Sequence, residues 1–283
     1  MTASRRRSAA SRAVILDRSL ESFPLFRLSD SADESAIDYS PEAGQRWRAL
    51  PSPGERLPGT FDQDVYVELM RRYHEAGAPA DGVLTFTLHA FLRSMSRRVD
   101  GRTYEQLRSA LTRLERTTLE SDRAYFDATT AAPFSGSFSV LSAVQIDRRR
   151  ATEREQLGLF STLTNNEPGD ARVSIAAPIR ANIAAGHTIA ISSTRYFALA
   201  SPVARRIYRL VECVRAQGEL SWRVPLETLA DQLPLIQRFP SHLQRVLQPA
   251  HEMLVTTGAL RAATIVQESR SWFVQYTLGI ATV

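Results

Sequence analysis

Arg108, Ser109, Thr112, Arg113 and Arg116 fall on the polar side of a helical pattern at Thr103–Thr117, whose apolar side is Tyr104, Leu107, Leu111 and Leu114. A guanidinium donates paired hydrogen bonds to phosphate or to the edge of guanine, and a threonine methyl can meet a thymine methyl. Arg102 stands at the start of that helix, where backbone N–H groups favour anions, and Arg97 and Arg98 lie in the turn before it. A second such face runs along Ser241–Thr257. Ser241, His242, Gln244, Arg245, Gln248, His251 and Glu252 lie opposite Leu243, Leu247 and Ala250, and Gln237 and Arg238 precede them. Glutamine suits adenine as arginine suits guanine, so this face has the chemistry of base reading. Pro249 should kink or divide the helix and leave 241–248 as the reading part. Arg148, Arg149 and Arg150, and Arg270 at the tip of a closing hairpin, add phosphate contacts. The plain alternative is a solvated helix face with internal pairs such as Glu105 with Arg108.

Enzymatic chemistry is not signalled. The histidines (His74, His89, His187, His242, His251) form neither HxH nor HExxH, and no G-x-S-x-G is present. The carboxylates are read as scattered rather than gathered into a magnesium site. All 35 basic residues are arginine, which removes the lysine of a P-loop or a Schiff base. Cys213, the single cysteine, rules out a disulfide framework within the chain and reads as a buried thiol. Tyr104 and Tyr208 sit on apolar faces and read as core. The expectation is a protein with no enzymatic activity, no cofactor and no metal.

The elements that would hold these faces follow from periodicity and punctuation. The chain has 283 residues, 43% of them hydrophobic, with a net charge of +5. That is enough for real cores, and the basic balance favours an acidic partner. No apolar run is long enough to span a membrane, and the basic N-terminus lacks an apolar signal core, so the expected location is the cytoplasm. Residues 1–20 read as a basic flexible arm and 21–58 as an irregular, proline-punctuated extension. Residues 59–160 read as helix, strand, short helix, turn, long helix and hairpin, the plan of a winged helix, with 147–170 as wing tip and linker. Residues 171–283 repeat the plan, with a helix opening at Pro202, a short helix at Pro225–Leu233 and a hairpin around Ser269–Arg270. The fold class expected is α+β, mainly helical, with two tandem winged-helix domains.

Several stretches carry a family likeness. Leu20–Leu28 (LESFPLFRL), Gly59–Leu69 (GTFDQDVYVEL), LTFTLHAFLRSM, GRTYEQLRSALTRLERTTLES, ALASPVARRIYRLVECVRAQG and LSWRVPLETLADQL follow one another in order. This ordered set, from about residue 20 to 260, resembles the bacterial plasmid replication initiator A proteins. The resemblance implies two winged-helix domains, binding to double-stranded DNA at origin repeats, contact with host replication initiation proteins, and often repression of the initiator's own promoter. It also implies that a homodimer and an active monomer both occur, so self-association is expected. Two other readings stay open: a transcriptional regulator without an origin role, and a winged-helix module for protein interaction. A strand-nicking initiator is the remaining class.

Overall fold

The computed structural model describes residues 13–28, 35–146, 171–236 and 238–279. Arg148, Arg149, Arg150, Gln237 and the expected linker 147–170 lie outside them. The chain runs through strand Ala13–Asp17 (β1), short helix Arg18–Glu21 (α1), strands Ile37–Tyr39 (β2) and Arg46–Leu50 (β3), and helix Thr60–Glu75 (α2). Strand Val83–Phe86 (β4), helices Leu88–Ser94 (α3) and Gly101–Arg116 (α4), and strands Thr118–Asp127 (β5), Ala132–Phe138 (β6) and Leu141–Ile146 (β7) follow. Then come Ala171–Ile175 (β8), Ala177–Ala184 (α5), Thr188–Ser192 (β9), Ser193–Ala198 (α6) and Pro202–Arg215 (α7). The chain closes with Ser221–Pro225 (β10), Leu226–Gln232 (α8), Pro240–Thr256 (α9), Ala262–Glu268 (β11) and Ser271–Thr277 (β12).

Helix starts follow local chemistry. Thr87 caps α3 by accepting from the Ala90 N–H, and Ser201 caps α7 ahead of Pro202 at its first position. The cap of α4 is Asp100. Its carboxylate accepts from the Thr103 N–H while the Thr103 hydroxyl accepts from the Asp100 N–H, a reciprocal box. Helix α9 runs unbroken through Pro249, contrary to the expected division. The proline faces solvent, where water can meet the carbonyl it leaves without a donor.

Residues 13–20 are not a loose arm. β1 pairs antiparallel with β9, Ala13 opposite Ser192 and Asp17 opposite Thr188, and buries Val14 and Leu16. The stretch 21–58 is not wholly irregular either. β2 and β3 join β5 and β6 in a four-stranded sheet, and Trp47 of β3 is fully buried. Its indole N–H donates to the Pro24 carbonyl at 2.8 Å and its ring stacks on Phe23 at 4.9 Å. Three strands occupy 118–146 where two were expected. β5 and β6 form the hairpin, while β7 leaves it and pairs with β8. β8 in turn pairs with β4. A strand assigned to the second half thus completes a sheet of the first, and β1 completes a pair in the second.

Helix α2 is the centre of the molecule. Every residue from Asp62 to Met70 is buried, as expected of a helix covered on all sides. Its polar groups are therefore committed. Asp62 accepts two bonds from Arg113 of α4, at 2.7 and 2.9 Å. Asp64 accepts from Arg205 of α7 at 2.6 Å, from Arg97 at 2.8 Å and from Tyr196 at 3.1 Å. Gln63 accepts from Arg209 at 2.6 Å, and Glu68 holds Arg71, Arg72 and Ser94. Asp62 and Asp64 do form a D-x-D pair, but both are engaged by arginines. No described group of His, Cys, Asp and Glu is arranged to hold a metal ion.

Candidate nucleic-acid interface

The α3–α4 unit presents the outer face of α4 to a groove of about 1140 Å³, walled by β7 through Val144 and Ile146 and by Glu55 and Arg56. The capping box fixes the start of α4, and Leu107, Ala110, Leu111 and Leu114 fix its roll by burial. Most of the arginines read as base or phosphate contacts have acidic partners here. Arg108 pairs with Glu105, Arg116 with Glu55 at 2.9 Å, and Arg98 with Asp100 at 3.3 Å. These pairs are exposed enough to exchange a carboxylate for a phosphate at small cost.

Arg113 is different. Its guanidinium lies mostly buried against the buried Asp62 carboxylate, so it fastens α4 to α2 instead of facing DNA. Arg97 is partly exposed but is drawn onto buried Asp64. The physical reason is the acidic run in α2. The nine arginines and five acids from 71 to 116 give an excess of four, but Asp62, Asp64 and Glu68 lie just before that window and neutralise part of it. Arg102 is exposed, with no ion-pair partner among the described residues; Ser109 is exposed and Thr112 half-buried in the groove.

The α8–α9 unit repeats the order of short helix, turn, long helix and hairpin. Leu243, Leu247, Ala250 and Leu254 bury one side of α9, leaving Ser241, His242, Arg245 and Gln248 exposed and Gln244 half-buried. Arg245 has no ion-pair partner among the described residues. Gln248 donates to Glu252 at 3.3 Å, and Arg238 pairs with Asp231. From Gln232 to His251 the sequence holds no Asp or Glu, and Asp231 and Glu252 at its two ends are engaged by Arg238 and Gln248. A groove of about 660 Å³ separates α9 from the β11–β12 hairpin, with Gln244, Gln248 and Trp272 among its lining. Ser269 adopts a left-handed φ of 56° at the hairpin turn, and Arg270 beside it is exposed.

His251 does not point outward as the helical spacing suggested. It is buried, its Nε2 lies 2.9 Å from the Tyr276 hydroxyl, and burial pushes its pKa down to about 4. It therefore ties α9 to β12 as a neutral ring. Sequence spacing also gave no hint of Phe239, which is 70% exposed at the start of α9. A large aromatic in an apolar-rich stretch reads as core, and only the missing polar cap at that position marks it. Among the described residues, no helix is long and apolar enough to cross a membrane.

The mixed helix-and-strand fold is shared with solved structures of low sequence identity. It superposes on a crystal structure of domains 2 and 3 of RctB with a TM-score of 0.54 and 11% identity, covering 92% of this chain and 96% of that one. A second crystal structure of the same RctB domains gives 0.50 at 11% identity, with the same coverage. The Pi initiator protein in complex with iteron DNA is also matched, at a TM-score of 0.47 and 11% identity over 88% of this chain and 99% of that one. Residues 16–250 match the family Replication initiator protein A, and the chain belongs to that family. No curated protein sequence matches it.

Proposed function

We propose that this protein starts replication by binding duplex DNA at repeated origin sites, through two winged-helix units, α3–α4 with β5–β6 and α8–α9 with β11–β12. The observation that carries the proposal is the outer face of α9: acid-free from 232 to 251, lined by Ser241, His242, Gln244, Arg245 and Gln248, and flanked by a hairpin with Arg270 at its tip. Arg245 and the two glutamines would read base edges, and Arg270 would hold a phosphate. On the first unit Arg102, Arg98, Arg108 and Arg116 would bind backbone, with Thr112 nearest the bases. Family membership supports the initiator role. The action is architectural, with no covalent step: bound initiator orders the repeats and recruits host replication proteins, and the same binding at its own promoter represses it.

The test is fluorescence anisotropy with duplex DNA flanking the protein's own gene against random duplex of equal length, across a salt series. We expect a strong preference for the flanking duplex. Affinity should fall with log salt at a slope of roughly 0.9 per phosphate neutralised. Equal weak binding to both duplexes would overturn the proposal, and absence of binding would favour a protein-docking module.

A further inference from the structure

The turn between α8 and α9 carries a feature that base reading by α9 does not explain. Phe239 is 70% exposed and Ile236, on the same turn, 48% exposed; among the described residues the other exposed large apolar side chains are Phe126, Leu220 and Val255, each away from this turn in sequence. Phe239 is also the N-cap of α9, with no side-chain hydrogen bond to the first turn. Helices α1, α3, α4, α6 and α7 place Asp17, Thr87, Asp100, Ser192 and Ser201 at that position, each accepting from a backbone N–H. Serine, threonine, aspartate and asparagine are the residues that stabilise a helix start. Helix α9 forgoes that stabilisation, as α2, α5 and α8 do with Gly59, Ala176 and Pro225, but at α9 the residue in that place is an exposed aromatic ring.

The surroundings indicate what covers the ring. Arg238 and His242 flank it, the Phe239 and His242 rings standing edge to face with centroids 5.9 Å apart, and Arg245 is one turn beyond His242. Asp231, paired with Arg238, borders one side of the tip; from there to His251 the sequence holds no acid, and this donor-rich side with Arg245 is complementary to a polyanion that offers apolar groups between its phosphates. Duplex DNA offers such groups in the major groove as the C5 methyls of thymine, which aromatic and aliphatic side chains contact.

We propose that Phe239, with Ile236 beside it, is a specificity-determining contact that presses on thymine methyl groups at the edge of the site read by α9. The inference rests on the DNA-binding reading above. Its test compares three duplexes: the DNA flanking the gene, the same duplex with every thymine replaced by uracil, and random DNA. The wild-type chain should bind the uracil duplex about fivefold or more weakly than the thymine duplex. Phe239→Ala should lose a similar factor on the thymine duplex, lose nothing further on uracil, and bind random DNA as before. Phe239→Ser, which restores a polar cap, should show the same binding defect while unfolding at an equal or higher temperature.

A Phe239→Ala chain that keeps the wild-type preference for thymine over uracil overturns the proposal. So does equal loss on all three duplexes, and so does altered self-association with DNA preference intact, which would assign the tip to a second copy of the chain. Failure of the wild type to prefer flanking over random DNA would instead sink the DNA-binding reading itself, and is visible before any variant is made.

Discussion

Arg113 and Arg245 both lie on the long helix of a helix–turn–helix unit, and their surroundings set them apart. Arg113 is held bidentately by the buried Asp62, so Arg113→Ala leaves a carboxylate buried without its partner. Such a loss costs about 3 kcal/mol or more of stability, measurable by denaturant unfolding, with the preference for flanking over random DNA unchanged in the fraction that folds. Arg245 is exposed and has no acidic partner among the described residues, so Arg245→Ala should leave stability within about 0.5 kcal/mol of wild type. It should weaken binding to the flanking duplex by roughly 1–3 kcal/mol; unchanged affinity would remove α9 from the reading surface.

Two buried groups set opposite pH dependences. Asp17 accepts from the Tyr125 hydroxyl, from Asn182 at 3.1 Å and from the Ser19 N–H at 2.9 Å, yet burial raises its pKa from 3.8 to about 7. The folded state therefore holds that proton more tightly than the unfolded chain. The stability this contributes is complete below pH 3.8 and is lost as pH rises to about 7. His251 runs the other way: lowered from 6.5 to about 4, it contributes stability above pH 6.5 that is lost as pH falls towards 4. The two slopes oppose one another between about pH 4 and 6.5, so the wild-type profile alone would conceal both. Asp17→Asn removes the first. Unfolding by urea at stepped pH should show the variant gaining stability relative to wild type as pH rises to 7. A gap between the two that does not change with pH would contradict the placement of the Asp17 proton.

At the scale of elements, the helices were legible because their signals are local. Pro202 at a first helical position and the leucine spacings at 107–114 and 243–247 fixed α7, α4 and α9 within a few residues. Of the strands that local pattern did not mark, β1, β3 and β10 pair with segments far along the chain: β1 with β9, β3 with β5, β10 with β12. Local sequence does not encode such a partner, and prolines at 41, 51, 53 and 58 made the region look irregular. β2 and β6 pair nearby, with β3 and β5, but lie in stretches punctuated by proline and glycine. The candidate surfaces were legible as polar helix faces, but their ion pairs were not, because the partners of Arg113, Arg97 and Arg116 lie dozens of residues away. Pro249 is the element-scale prediction. It lacks the N–H that would bond the Arg245 carbonyl, so Pro249→Ala should raise the stability of the chain by about 1–3 kcal/mol. Thermal unfolding checks this; an unchanged or lower midpoint would mean that the proline fixes a bend the fold requires.

At the scale of the whole molecule, the halves are interlocked rather than strung in sequence. β1 pairs with β9, β8 closes the sheet of β4 and β7, and α2 grips α4 through Asp62 and α7 through Asp64 and Gln63. Glu21 of α1 adds a buried pair with Arg209 at 2.7 Å. Buried pairs of this kind hold a single geometry, because a shift of either partner leaves a charge without water or counter-charge. Calorimetry should therefore show one cooperative transition, whereas two resolved transitions would mean that the halves unfold independently.

A fixed relation between the two units is also what would let one chain lay both on a single duplex. Hydroxyl-radical footprinting of the protein on the DNA flanking its gene tests that claim most directly. Paired protections are expected on each repeat, one helical turn of roughly 10 base pairs apart, with Arg245→Ala erasing one member of the pair. A single protected groove per repeat, or protection with no repeat, would contradict it.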